Sequence, residues 1–208
     1  MLEVGVAMRH FSPIPGPHRT AQGFTLIELM VTLAILAVLM AVAAPSFSDI
    51  RKNSELGGVA NNFLAALNTA RAEGMKRNMN TMVTPVNGDN DWSKGWLVFV
   101  DVDRDQVYSS GDLLITQADA PLPYIAITAA SGGTAGETVS YLLFDGSGFA
   151  KTKSGGFGAN TVAIARNDVA STQYSQIRRV KVAKTGRVRV CTPKTGTDTA
   201  CSASGEDS

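Results

Sequence analysis

The residues of this sequence best suited to chemistry are cations near its C-terminal end. Arg179, Lys181, Lys184, Arg187, Arg189 and Lys194 fall within one short stretch, with Gly186 among them. If the chain reverses near Lys184 to Gly186, strand alternation puts Arg179 and Lys181 on one face of a first strand and Arg187 and Arg189 on one face of a second. Val180, Val182, Val188 and Val190 then face a core. Bases gathered on one face repel each other, and a polyanion would relieve that repulsion. Phosphate contacts of this kind are indifferent to sequence and weaken with salt. No aromatic side chain interleaves the ribbon, so stacking on bases is not expected. The same residues suit a solvated strand face, or a surface that pairs with acids on a neighbouring molecule, and those readings stay open.

Carboxylates form a second group. Asp101, Asp103, Asp105 and Asp112 fall at the first, third, fifth and twelfth positions of a calcium-loop pattern. Gln106 stands where that pattern needs glycine for a sharp turn, and Asp112 is shorter than the usual bidentate glutamate. An acidic turn is the preferred reading, with no metal and no cofactor expected. Glu28 differs, because it is the single charge in the apolar run 24–44. A carboxylate in such a run is costly without a partner, which makes Glu28 functional by default. Cys191 and Cys201 are too few for a zinc cage without histidine, and a disulfide is the simpler reading. The only histidines, His10 and His18, precede the apolar run. If the segment before that run is removed, the chain lacks the usual general base, and it shows no phosphate-cradling glycine motif or recognisable nucleophile, so it is not expected to be an enzyme.

Pattern alone outlines the elements that must carry these groups. As a helix, 24–44 spans about 30 Å, enough to cross a bilayer. Arg9 and Arg19 ahead of it favour keeping that end in the cytoplasm. A cleaved secretory signal is the rival, since Ala41-Val42-Ala43 offers a small-residue cleavage site, but the run is longer than such a signal's apolar core and contains a carboxylate. Pro45 should kink the helix. Across 45–79, Leu56, Val59, Ala60, Phe63, Leu64, Leu67 and Ala70 form one apolar stripe at helical spacing, suited to packing under a sheet. Gly57 and Gly58 weaken the helix by about 1 kcal/mol each, which predicts a bend or local melting. From 80 to 208 the pattern becomes that of a head built of strands, predicted at 80–86, 95–101, 112–117, 124–128, 139–145, 161–166, 176–183 and 186–191. Loops are expected at 131–138 and 152–160. Trp96, Val98 and Val100 would face one side of their strand and Leu97 and Phe99 the other, so both faces should be covered. A long helix followed by strands is an α+β plan.

Three motifs carry a resemblance to a known family. Gly23-Phe24-Thr25-Leu26-Ile27-Glu28 resembles the prepilin peptidase motif of type IV pilins and type II secretion pseudopilins. Trp92 through Asp103 resembles the central signature of the GspH/FimT group of minor pilins and pseudopilins. Gly186-Arg187-Val188-Arg189 is similar to the glycine, arginine, any residue, arginine pattern near the end of FimT-type minor pilins. The resemblance implies a type IV pilin-like fold, with a helix that is half transmembrane and half amphipathic packed on an antiparallel β-sheet head. It implies cleavage of the leader 1–23 by prepilin peptidase, methylation of the new Phe24 amine, and pairing of that amine with Glu28 between subunits. It also implies a single-pass inner-membrane protein with a periplasmic head, assembled with other major and minor pilins or pseudopilins into a filament. In an oxidising periplasm, a Cys191–Cys201 bridge would pin the tail to the last strand.

The FimT-type pattern implies DNA binding during natural transformation through Gly186, Arg187 and Arg189; Arg179, Lys181, Lys184 and Lys194 are added on charge alone. GspH-type pseudopilins imply instead a structural subunit of a type II secretion system, or an assembly primer that does not bind DNA. The leader is longer than is typical, and Met8 offers a later start.

Composition bounds these readings. At 208 residues, 44% hydrophobic and 18% charged, the chain can supply one globular domain with a real core plus one apolar segment. A net charge of +1 argues against a uniformly basic nucleic-acid protein, yet it hides an asymmetry. Residues 89–119 hold seven acids and two bases, whereas 166–194 hold eight bases against Asp168 alone. One edge is expected to be acidic and another basic.

Overall fold

The computed structural model describes residues 23–131 and 139–203, without the side chains of 42–46. The leader before Gly23, the bend expected at Pro45 and most of the loop expected at 131–138 lie outside the described residues. The chain divides into two compact units, one up to Ser46 and one from Phe47 onward. A single helix, α1, is assigned over Leu26–Arg77.

In the first unit α1 opens on a capping box. The backbone N–H of Glu28 donates to Thr25 Oγ1 at 3.2 Å, and the Thr25 N–H donates to the Glu28 carboxylate at 3.4 Å. Two otherwise orphaned donors are thus met reciprocally. Every large apolar side chain from Phe24 to Met40 is exposed. Among the described residues no helix is long and apolar enough to cross a membrane. The segment expected to do so, 24–44, runs into positions whose side chains lie outside the described residues.

In the second unit α1 buries Leu56, Ala60, Phe63, Ala66, Leu67 and Ala70, with Val59 and Leu64 at the edge of the same cluster. Their spacing of three and four residues keeps them on one face. The helix does not melt at Gly57 and Gly58, because Leu56 and Ala60 on either side are locked into the core.

Strands β1 (Thr81–Pro85), β2 (Trp96–Val100), β3 (Leu113–Ala118), β4 (Ile125–Ser131), β5 (Leu142–Phe144), β6 (Ala150–Lys151), β7 (Asn160–Arg166), β8 (Ile177–Val182) and β9 (Val188–Cys191) follow. They form two antiparallel sheets, ordered β3-β2-β1-β5-β6 and β4-β7-β8-β9. Val83, Trp96, Val98, Leu142 and Phe144 of the first sheet, and Ile127, Val162, Ile164, Val180 and Val182 of the second, join the helix residues in one core. Phe63 meets Trp92 and Trp96 edge-on, at centroid separations of 5.6 and 5.0 Å. The outer face of the first sheet is covered as well. There Met82, Leu97, Phe99 and Leu143 make a second buried cluster, and the Tyr108 ring lies 5.2 Å from that of Phe99.

Ion pairs fasten the helix to the second sheet. Arg166, at the end of β7, donates to Asp168 at 2.8 and 2.9 Å, to Asp49 at 3.1 Å and to Gln176 at 3.2 Å. Lys52 reaches Asp168 at 2.7 Å. The Arg166 and Lys52 donors hold the Asp168 carboxyl far below the usual range. Arg178 donates to Asn53 at 2.9 Å and to the Ser175 carbonyl at 2.8 Å. Two of the bases counted in the C-terminal stretch therefore serve the helix contact.

Candidate functional site: the hairpin turn and its tail

Strands β8 and β9 form the expected hairpin, with Val182 opposite Val188, Lys181 opposite Arg189, Val180 opposite Val190 and Arg179 opposite Cys191. Val180 and Val182 are buried, and Val188 and Val190 pack half-buried against the same core. Lys181 and Arg189 do face each other across the pair.

These bases do not make a bare stripe, because the tail folds across them. Cys191 and Cys201 are joined in a disulfide, with Cα atoms 5.9 Å apart. Arg179 donates to the carbonyl of Cys201, Lys181 Nζ contacts Ser202 Oγ at 3.0 Å, and Arg189 donates to the Ala200 carbonyl at 2.6 Å. Arg179 is 7% exposed and Lys181 2%. The expectation that both sit on an open basic face is corrected here: alternation places them on the side away from the valines, but that side is covered. Tail carbonyls supply the negative dipoles that crowded cations need. Asp198 shapes the tail by accepting from the backbone N–H of Lys194 at 3.0 Å, Ala200 at 3.0 Å and Cys201 at 3.2 Å. Those donors, that of Lys194 foremost, keep its carboxyl below the ordinary range.

At the turn, Lys184 and Arg187 are exposed, as is Lys194 further on, while Arg189 is half-buried. Gly186 is buried and has φ +77°. A Cβ there would sit 1.8 Å from the Gly148 carbonyl oxygen. The glycine of the motif therefore serves packing, letting the turn settle on residues 148–150. Arg71 of α1 clamps this junction, donating to the carbonyls of Gly148 at 2.9 Å and Thr185 at 3.4 Å, and the Ala150 N–H donates to the Lys184 carbonyl at 3.1 Å.

The docked turn acquires neighbours that sequence reasoning missed. Phe149 and Phe157 are exposed, with ring centroids 5.5 Å apart, and Lys151 Nζ lies 3.7 Å from the Phe157 centroid. The ribbon itself has no aromatics, but the fold sets this pair beside it. The only signal in the sequence was Phe149 and Phe157 standing among glycines, where no core strand would place them.

The remaining candidates lie elsewhere. Gly23, Phe24 and Glu28 are exposed at the start of α1, and Gly23 to Thr25 have no regular secondary structure. In the β2–β3 loop, side-chain oxygens of Asp101, Asp103 and Asp105 lie within 4.8 Å of one another. Burial raises the pKa of the Asp101 carboxyl. Asp112 is engaged with loop amides, accepting from Val102 at 2.9 Å and Ser109 at 2.8 Å.

The family model described as type II transport protein GspH matches residues 59–186, and the prokaryotic N-terminal methylation motif matches residues 18–44. No curated protein sequence matches the chain. Several solved structures resemble it, among them a minor pilin and a minor pseudopilin. The type IV minor pilin FimU of Pseudomonas aeruginosa does so at 20% identity and a TM-score of 0.49, over 68% of this chain and 95% of that one. The minor pseudopilin EpsH from the type 2 secretion system of Vibrio cholerae does so at 14% identity and a TM-score of 0.46, over 67% of this chain and 98% of that one.

Proposed function

This chain belongs to the type II transport protein GspH family of minor pilins and pseudopilins, and we propose that it is cut between Gly23 and Phe24 by prepilin peptidase and methylated on the new Phe24 amine. Segment 24–44 then holds it in the inner membrane, with the head in the periplasm, until it joins other pilins in a filament. The observation that carries this reading is the exposure of every large apolar side chain from Phe24 to Met40, with Glu28 the only charge among them. Lipid or neighbouring helices must cover such a surface, since each buried Å² of apolar area is worth about 25 cal/mol. An ammonium on Phe24 would stand one helical turn from Glu28. The same pair on each neighbouring subunit lets opposite charges offset the cost of burial.

On the head, the turn between β8 and β9 is the proposed DNA contact, serving uptake in natural transformation. Lys184 and Arg187, with Arg189 and Lys194 beyond, supply phosphate contacts, while Phe149 and Phe157 offer ring faces to unpaired bases. The test is a salt titration of DNA binding by the detergent-solubilised full chain, comparing wild type with Lys184→Gln plus Arg187→Gln. Four phosphate contacts give a log–log slope of about −3 to −4, about halved in the double variant.

One observation favours the alternative of a structural subunit, in a type II secretion system or as an assembly primer, without DNA contact. The covering tail removes Arg179 and Lys181 from any open surface. Absence of binding at low salt by folded wild-type protein would establish that alternative.

A further inference from the structure

The loop between β2 and β3 holds charges that neither the proposed anchoring nor the proposed DNA contact draws on. Side-chain oxygens of Asp101, Asp103 and Asp105 lie within 4.8 Å of one another, in a space the size of one cation's coordination shell. Asp101 is fully buried, and its Oδ2 has no hydrogen-bond partner, whereas Oδ1 accepts from the Gln106 N–H at 3.4 Å. A buried carboxylate oxygen with no donor is rare in a native fold and calls for a partner that supplies positive charge. We propose that this loop binds calcium, with Asp101, Asp103 and Asp105 as its carboxylate ligands.

The chemistry selects the ion. All three donors are hard oxygens on alternate residues, which suits calcium and disfavours metals that seek sulfur or nitrogen. Three like charges packed this closely repel, and a divalent cation converts that repulsion into attraction. The sequence departs from a calcium-loop pattern at two positions, and the structure accounts for both. Gln106, in the place of the turn glycine, adopts φ +64°, so the backbone makes the left-handed turn without glycine. Asp112, at the twelfth position, ties the arms of the loop together through the Val102 and Ser109 amides, at 2.9 and 2.8 Å.

Without a bidentate glutamate the affinity belongs in the range of extracellular modules, with a Kd of about 0.1 to 1 mM. Bound calcium would brace the cover on the outer face of the first sheet. The loop carries Tyr108 onto Phe99, and Gln106 and Lys153 bond each other at 3.1 and 3.0 Å.

The test is calorimetric titration of calcium chloride into the chelator-stripped full chain in detergent, with thermal unfolding at 0 and 10 mM calcium. Wild type should bind in the stated range, and its Tm should rise by about 5 °C. Asp103→Asn plus Asp105→Asn, both at exposed positions, should weaken binding at least tenfold and abolish the Tm shift. Asp119→Asn, an exposed acid outside the loop, should change neither. Folded wild-type protein that takes up no calcium at 10 mM overturns the proposal, as does undiminished binding by the double variant.

Discussion

Asp168 accepts from both Arg166 and Lys52, and Arg166 is itself buried, so removing the carboxylate charge leaves a guanidinium poorly compensated. Asp168→Asn should lower stability by about 2 kcal/mol, the scale of hydrogen bonds to charged groups, measured by urea unfolding at pH 7. The sign with pH follows from the depressed pKa. The Asp168 contribution is whole above the ordinary aspartate pKa of about 3.9 and is lost as pH falls below it, so the variant should lose less stability than wild type on acidification. Gly186→Ala should cost about 1 to 3 kcal/mol, because alanine at φ +77° is strained and its Cβ would strike the Gly148 carbonyl. Read from sequence, Gly186 belonged to a binding motif, whereas its contact with Gly148 depends on a loop 38 positions earlier that no spacing rule reaches. Arg179 and Lys181 misled in the same way. Alternation assigned their face correctly, and the expected Cys191–Cys201 bridge ties the tail to β9, but no spacing rule announced that Cys201 and Ser202 would lie over Arg179 and Lys181.

At the scale of elements, the stripe from Leu56 to Ala70 and the short alternating runs made α1 and most strands legible, because burial on one face imposes a period on the sequence. Strand β6 has two residues, too few to show any period, and the division into two sheets depends on which strands pair across long separations. The tail from Cys191 onward has no period at all, and its course is set by the disulfide, Asp198 and the bases beneath it. Cys201→Ser should cost about 2 to 3 kcal/mol from loss of the short loop closure. It should also open the face below, so that Lys181, slow to acylate in the oxidised protein, reacts at the rate of an exposed lysine. Unchanged protection of Lys181 would mean that packing alone holds the tail. In the helix, a Cβ at Gly58 meets nothing within 4 Å, so Gly58→Ala should stabilise the fold by about 1 kcal/mol in thermal unfolding.

At the scale of the whole molecule, two exposed surfaces bear on what the chain meets. The first unit exposes the apolar residues from Phe24 to Met40, and the second exposes a cationic turn beside an aromatic pair. The first follows directly from the sequence, since one charge in the run 24–44 leaves no polar face for water. The second emerges only when β6 and the β8–β9 turn come together. Membership of the GspH family makes the chain a minor pilin or pseudopilin, and the proposed processing and anchoring would give the first surface its cover. The most direct test is the mass of the N-terminal peptide of the protein recovered from the membrane fraction of cells with an active prepilin peptidase. A peptide that begins at Phe24 and carries one methyl group is the predicted result. A chain that begins after Ala43, or one that keeps the leader through Gly23, would contradict the claim that this is a processed pilin-like subunit.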